Sequence, residues 1–349
     1  LFQHELEQVT RPEAVLVTSS MTYWYPGVHH VIELIRKKWR HVPIILGGHY
    51  ATLAPEHARL HSGADVIVRG AGENAVLPLL REILGDKHVR TREFKSLEEM
   101  PFPAFDLLKN KESLPLLTSR GCPFRCSFCA TPLLYQNFEQ RSALSVVSEI
   151  EASVKKWGTQ HLFFYDDALL IRKESHLLPL LELLGERKWP LSFHTPNGLH
   201  VREIDAATAR LFRKTGFRSL YLSQESFDKE LLERACPKVT RTDLAKALDI
   251  LEQNGYPRKD VNVYLIAGLP GQDLRLIKDS ILEVRRLGAR PRLAFFSPVP
   301  GTVEWDRLVN KGYLPADADP LLHNKLAFAY IWGEISPKGF DSLQDLLRE

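Results

Sequence analysis

The chain has 349 residues, 44% of them hydrophobic and 26% charged, and a formal net charge of +3. That balance is the one of an ordinary globular protein of about two domains, and so small a charge gives no electrostatic case for nucleic acid as a partner. No apolar run approaches the roughly 18 residues that cross a bilayer. With no leader visible, four cysteines in so long a chain point to a reducing cytoplasm and not to a disulfide scaffold. Position 1 is Leu, so the numbering is expected to begin inside a longer native chain.

Residues 14–20 (Ala-Val-Leu-Val-Thr-Ser-Ser) read as a buried strand, and Pro26-Gly27 opens an amphipathic stretch through Trp39. A second strand, Pro43-Ile-Ile-Leu-Gly-Gly48, precedes a short helical segment from Pro55; a third strand at 64–70 precedes a helix from Glu73 to Leu84. Strands alternating with helices give parallel βαβ units, so 1–85 is expected to be part of a doubly wound α/β sheet. Ligands of such sheets sit beyond the carboxyl ends of the strands, here Ser19, Ser20, Gly47 and Gly48. Residues 86–113 hold the string Met100-Pro-Phe-Pro-Ala-Phe-Asp106, whose prolines break any helix. A surface linker anchored by Phe102 and Phe105 is expected there.

Three of the four cysteines follow within eight residues, Cys122, Cys126 and Cys129, spaced C-x3-C-x2-C on a loop after the apolar run 114–119. Three thiolates on one short loop can face one point and hold three corners of an iron–sulfur cube. The fourth iron is then left without a protein ligand, and an open metal position signals chemistry. Zinc is the rival, but it takes four ligands; the nearest histidine downstream is His161, and no second CxxC exists.

Further strands are read at 161–167, 191–196, 219–226, 261–269 and 292–298, with helices at 143–157, 174–185, 205–214, 241–254 and 276–287. Together with 114–119 they make six βα units over 114–305. That count suits a barrel or partial barrel with its chemistry at the carboxyl ends of the strands. Those ends carry Tyr165-Asp166-Asp167, Asn197-Gly198, Ser223-Gln224-Glu225-Ser226 and Ile266-Ala-Gly268-Leu-Pro-Gly271. Neighbouring strand residues face opposite ways, so one of the two acids is expected to point inward; helix capping is the plain alternative. Cys236 is left over, either a hydrogen-atom donor or a structural thiol. The extension 306–349, with an aromatic stretch at 326–332 and an amphipathic pattern at 340–347, reads as core packing.

The CxxxCxxC loop, with Phe128 before its third cysteine, resembles that of the radical S-adenosylmethionine (SAM) enzymes. The resemblance implies a partial (β/α)6 TIM-like barrel in which Cys122, Cys126 and Cys129 ligate a 4Fe-4S cluster. The amine and carboxylate of SAM take the fourth iron in that family, and reductive cleavage yields a 5′-deoxyadenosyl radical. It further implies Phe128, Tyr165, Asp166 and Asp167 on the side of the cofactor amine, Ser223 and Glu225 at the ribose, and Ile266 and Gly268 at the adenine. Arg120 and Arg141 flank the loop, as cofactor partners or as solvated surface groups.

Gly47-Gly48-His49-Tyr50-Ala51-Thr52 and Gly70-Ala71-Gly72-Glu73 resemble segments of the Rossmann-like cobalamin-binding domain that precedes the barrel in one subfamily. Ser19, Ser20, Gly47 and Gly48 are then the implied cobalamin contacts. The family's cobalt-ligating D-x-H-x-x-G is absent: Asp86-Lys87-His88 begins such a string, but position 91 is Thr, and His88 reads as a surface histidine.

A radical SAM enzyme is implied, with cobalamin-dependent methylation of an unactivated carbon as its expected reaction. A cobalamin-independent or non-methylating radical enzyme, performing cyclisation or rearrangement, is the rival. A metal- or redox-sensing regulator is the third reading. The partners implied are an organic substrate and an electron donor such as flavodoxin or ferredoxin, with no nucleic acid.

Overall fold

A computed structural model of the chain describes residues 2–85, 89–325 and 335–348. It resolves into two compact units, Leu1–Lys95 with Leu133–Tyr135 and Ser297–Gly333, and Ser96–Pro132 with Gln136–Phe296 and Glu334–Glu349.

The first unit is built on a parallel sheet, β1 (Val15–Ser19), β2 (Ile44–Gly47) and β3 (Val66–Ile67), in that order. Val15 stands opposite Ile44 and Ile45 opposite Val66, so the three carboxyl ends come level. Helix Tyr25–Lys38 turns its stripe Val28, Ile32 and Ile35 onto Ile44 and Leu46, a spacing that puts all three on one helical face. Burying each such side chain contributes about 1.5–3 kcal/mol, and Tyr50, Ala51 and Ala58 extend the same core.

The second unit carries β4 (Ser113–Leu116), β5 (Ser119–Arg120), β6 (Glu139–Gln140), β7 (His161–Phe164), β8 (Ser192–His194), β9 (Leu199–His200), β10 (Phe217–Glu225), β11 (Val261–Ala267) and β12 (Arg290–Phe295). Its main sheet runs β4-β7-β8-β10-β11-β12, with β9 added against β10 and every pairing parallel. β4 and β12 stand at opposite ends of this path, so the expected six βα units form a partial barrel. Helices such as Ala143–Trp157, Leu177–Arg187 and Ala206–Thr215 follow the strands. A stack of Phe164, Phe193, Phe217 and Phe212, with ring centroids 4.1–5.8 Å apart, forms part of the core. Helix starts are set locally, with the side chains of Ser142, Asp205, Asp228 and Asp273 each accepting a first-turn N–H.

The compact units cut the chain elsewhere than 1–85, 86–113, 114–305 and 306–349. The expected linker divides: 89–95 go with the first unit, while from Ser96 onward the chain belongs to the second. There Phe105 is buried edge-on against Trp157 at 6.1 Å, but Phe102, expected to anchor beside it, is 44% exposed. The C-terminal extension also divides: helix Val303–Asn310 belongs to the first unit and helix Pro337–Arg348 to the second, where Phe340 lies 4.5 Å from Phe295. An amphipathic pattern states that a face is covered, not which body covers it. Residues 86–88, His88 among them, and the stretch 326–332 lie outside the described residues. No helix among the described residues is long and apolar enough to cross a membrane.

Candidate functional site

β5 pairs antiparallel with β6, so residues 121–138 leave and return as one loop. Cys122, Cys126 and Cys129 lie along it, all free and half-buried. A turn brings the last two near each other, the Cys129 N–H donating to the Cys126 carbonyl at 3.1 Å. The Thr131 N–H points at the Cys129 sulfur from 3.5 Å. Among the described residues no three His, Cys, Asp or Glu side chains converge on a point that one metal ion could occupy. A cube asks for a different arrangement, one sulfur for each of three irons. Burial pushes the Cys122 thiol up to about 11. Cys126 is held below its ordinary value, chiefly by the hydrogen bond to Cys236, with Lys238 adding to the effect against burial.

The loop is launched from a buttressed strand end. Asp166 is 3% exposed, and its Oδ1 accepts from the Thr118 N–H at 3.0 Å, the Thr118 hydroxyl at 2.8 Å and the Ser119 hydroxyl at 2.6 Å. Thr118 Oγ1 also lies 2.8 Å from His176 Nε2. Burial pushes the Asp166 carboxyl up to about 6, with these hydrogen bonds pulling the other way. The carboxylate therefore grips the end of the neighbouring strand. Tyr165 is 48% exposed, Asp167 is half-buried, and Asn197 Nδ2 donates to the carbonyls of Tyr165 and Asp166 at 2.8 and 3.3 Å. Arg141 is not a solvated surface group: it pairs with buried Glu149 at 2.6 Å and donates to the Leu117 carbonyl at 3.1 Å.

At the end of β10 the register shifts between Ser223 and Glu225, and Glu225 takes φ +66, a left-handed backbone that non-glycine residues seldom adopt. Such strain persists where surrounding structure imposes it, and it concentrates at functional sites. Here fully buried Gln224 imposes it, donating to the carbonyls of Ser226 at 3.0 Å and Thr240 at 2.9 Å. Glu225 Oε1 meets Lys238 Nζ at 3.1 Å, the two side chains being only 10% and 11% exposed. Burial pulls the Lys238 ammonium down, but the Glu225 charge and hydrogen bond, together with the nearby Cys236 and Cys126 sulfurs, outweigh this and hold it above its ordinary value. Sequence reasoning passed over Lys238; the one signal was its place two residues after the leftover cysteine. Phe128 is half-buried on the triad loop, and Phe124 of that loop lies 4.8 Å from the buried ring of His200 on β9.

The end of β11 is clamped in the same manner. Gly268 has φ +89, which glycine adopts without strain. Gln272 Oε1 accepts the N–H groups of Gly268 and Leu269 at 2.8 and 3.2 Å, and its Nε2 donates to the Ile266 carbonyl at 3.1 Å. Ile266 and Gly268 are thus fixed at the strand next to the one that ends in Ser223 and Glu225.

In the first unit, Ser19, Ser20, Gly47 and Gly48 do come together at the ends of β1 and β2, with Ser19 bridged to Gly48. Gly48 has φ +86, and a Cβ there would fall 2.5 Å from both Ser19 O and Thr18 Oγ1, so no other residue fits. Ser19 Oγ donates to the Met21 carbonyl at 3.0 Å, and His49 Nδ1 lies 2.6 Å from the Ser20 carbonyl. Thr52 Oγ1 donates to the Gly48 carbonyl at 2.8 Å and accepts the Gly70 N–H at 2.9 Å, joining the glycine pair to the G-x-G-E turn.

A radical SAM superfamily model matches residues 116–284, and a B12 binding domain model matches residues 4–80. The chain carries a radical SAM domain and a B12-binding domain. It is an enzyme, and the two domains imply a 4Fe-4S cluster, S-adenosylmethionine and cobalamin as its cofactors. An uncharacterized methyltransferase of Pyrococcus horikoshii is 22% identical over 331 residues, 87% of this chain and 71% of that one. Another, of Synechocystis, is 27% identical over 298 residues, 81% of this chain and 54% of its own length. A hopanoid C-3 methylase of Methylococcus capsulatus is 24% identical over 377 residues, covering 96% of this radical SAM chain and 69% of the methylase. In fold the chain is similar to the radical SAM methyltransferase TsrM of Kitasatospora setae, solved with cobalamin and a [4Fe-4S] cluster bound. That match has a TM-score of 0.72 and 19% identity over 88% of this chain and 69% of the other. The site residues fit these cofactors: three thiols on one loop, a glycine at φ +89 at the end of β11, and a glycine pair at the carboxyl ends of the first unit's parallel sheet.

Proposed function

We propose that this radical SAM chain is a cobalamin-dependent methyltransferase that cleaves S-adenosylmethionine and methylates an unactivated carbon of an organic substrate. The observation that carries the reading is the pairing, in one chain, of the three-thiol loop beside a strained, ion-paired strand end with a B12-binding domain. Three relatives bear methyltransferase names, which fits.

When bound, the cluster and SAM supply a one-electron route to a carbon-centred radical, and cobalamin supplies a methyl group. The chain's part is to bind and orient. Cys122, Cys126 and Cys129 hold the cluster. Asp166 fixes Thr118 and Ser119, and so the start of the cysteine loop. Glu225 accepts from the ribose hydroxyls while Lys238 offsets its charge, with Ser223 beside it. Ile266 and Gly268 offer backbone to the adenine, with Phe128, Tyr165 and Asp167 on the side of the cofactor amine. Ser19, Ser20, Gly47 and Gly48 line the cobalamin face. The electron comes from a flavodoxin or ferredoxin.

A second reading is oxidative cyclisation, because an anaerobic magnesium-protoporphyrin IX monomethyl ester cyclase of Rubrivivax gelatinosus is 24% identical over 314 residues. Anaerobically reconstituted protein, given SAM and dithionite with and without methylcobalamin, separates the two. Methyl transfer gives S-adenosylhomocysteine that depends on cobalamin, together with 5′-deoxyadenosine. Deoxyadenosine without homocysteine product, under either condition, favours the cyclase-type reading or a missing methyl acceptor, and adding the substrate separates these.

A further inference from the structure

Cys236 follows the helix Lys229–Ala235 as its cap, and its own N–H donates to the Leu232 carbonyl at 2.9 Å. It is fully buried, and its sulfur stands 3.6 Å from the sulfur of Cys126, 110 residues away in the chain. The contact does not stand alone. The Ser127 N–H donates to the Ala235 carbonyl at 3.0 Å, so the helix end and the cysteine loop are joined by backbone as well as by sulfur. Lys238, two residues further on, is neutralised by Glu225 at 3.1 Å. The Cys236 thiol touches the Cys126 sulfur directly.

We propose that the Cys236 thiol donates an S–H···S hydrogen bond to the cluster-ligating sulfur of Cys126 and thereby sets the reduction potential of the cluster. The inference rests on the reading of Cys126 as a cluster ligand. Each iron of a cube takes one protein thiolate, so a second sulfur 3.6 Å from Cys126 serves that corner and not a corner of its own. Reduction adds negative charge that the ligand sulfurs share, and a donor aimed at one of them favours the reduced form. Hydrogen bonds to the sulfurs are among the levers that set cluster potentials. Full burial shields the Cys236 thiol itself from competition by water. Cys236 is thus a positioning and tuning residue, neither a fourth ligand nor a hydrogen-atom donor.

The test is a redox titration, followed by electron paramagnetic resonance, of the full chain with its cluster reconstituted anaerobically, as wild type, Cys236→Ala and Cys236→Ser. The expected result is that Cys236→Ala keeps its iron while its reduction equilibrium moves roughly tenfold toward the oxidised form, about 59 mV for one electron. Cys236→Ser, which retains a hydrogen-bond donor, should return most of the shift. An unchanged potential in Cys236→Ala, or equal shifts in the Ala and Ser variants, overturns the proposal, as does loss of iron from Cys236→Ala. Cys126→Ala is the control for the underlying reading: if it retains the cluster, Cys126 is not a ligand, whatever Cys236 does.

Discussion

Glu225 and Lys238 form a nearly buried ion pair, Oε1 to Nζ 3.1 Å, at a strand end whose backbone is strained to φ +66. Removing one partner of a buried pair leaves the other charge uncompensated, at a cost on the order of 3 kcal/mol. Glu225→Gln and Lys238→Met should therefore each destabilise the fold more than the double variant does, as denaturant midpoints will show. Glu225→Gln should also weaken SAM binding about 10- to 100-fold, since hydrogen bonds to a charged group contribute about 1.5–3 kcal/mol. Unchanged SAM affinity in a folded Glu225→Gln protein rules out the ribose role.

Alanine at Cys122, Cys126 or Cys129 should each remove most of the reconstituted iron and its charge-transfer absorbance, with little change in the far-ultraviolet circular dichroism. Each of these side chains is half-buried and on a loop, so its packing contribution is small. A variant that holds iron at the wild-type level removes that cysteine from the ligand set.

Asp166 makes stability depend on pH in a stated direction. Its folded value, raised by burial to about 6, lies above the ordinary 3.8. The stability it contributes is present in full below about pH 4 and is lost as the pH rises through 6, with an upper size of about 3 kcal/mol. Asp166→Asn keeps an acceptor oxygen for Thr118 and Ser119 and cannot ionise. Relative to wild type, it should therefore gain ground between pH 4.5 and pH 7.5 in urea denaturation. A difference between the two proteins that stays constant over that range contradicts the assignment.

Gly48→Ala probes the first unit. A non-glycine residue in left-handed backbone costs about 1–2 kcal/mol, and the added Cβ would lie 2.5 Å from Ser19 O and Thr18 Oγ1. The expected outcome is loss of cobalamin retention, read from the absorbance of the purified protein, while the iron content stays at the wild-type level. Retained cobalamin shows that the glycine pair does not form its cradle.

The sequence by itself determined what is local. The spacing of Cys122, Cys126 and Cys129, the six strand-and-helix alternations and the strand-end motifs were legible because each is set by residues within a few positions of one another. The parallel order β4-β7-β8-β10-β11-β12 follows from that alternation, since short βα connections place successive strands side by side. Packing decided the rest. That Asp166 holds Thr118 and Ser119, 48 and 47 residues away, was not legible until the fold set them together. Lys238 was passed over, and Cys236 was a leftover thiol, until a helix end was docked against the cysteine loop. Division of the segments 86–113 and 306–349 between two compact units was equally invisible. Periodicity along a chain records that a face is buried; its partner across 50 or 100 residues is chosen by the free energy of the whole packed core, to which no single stretch of sequence corresponds.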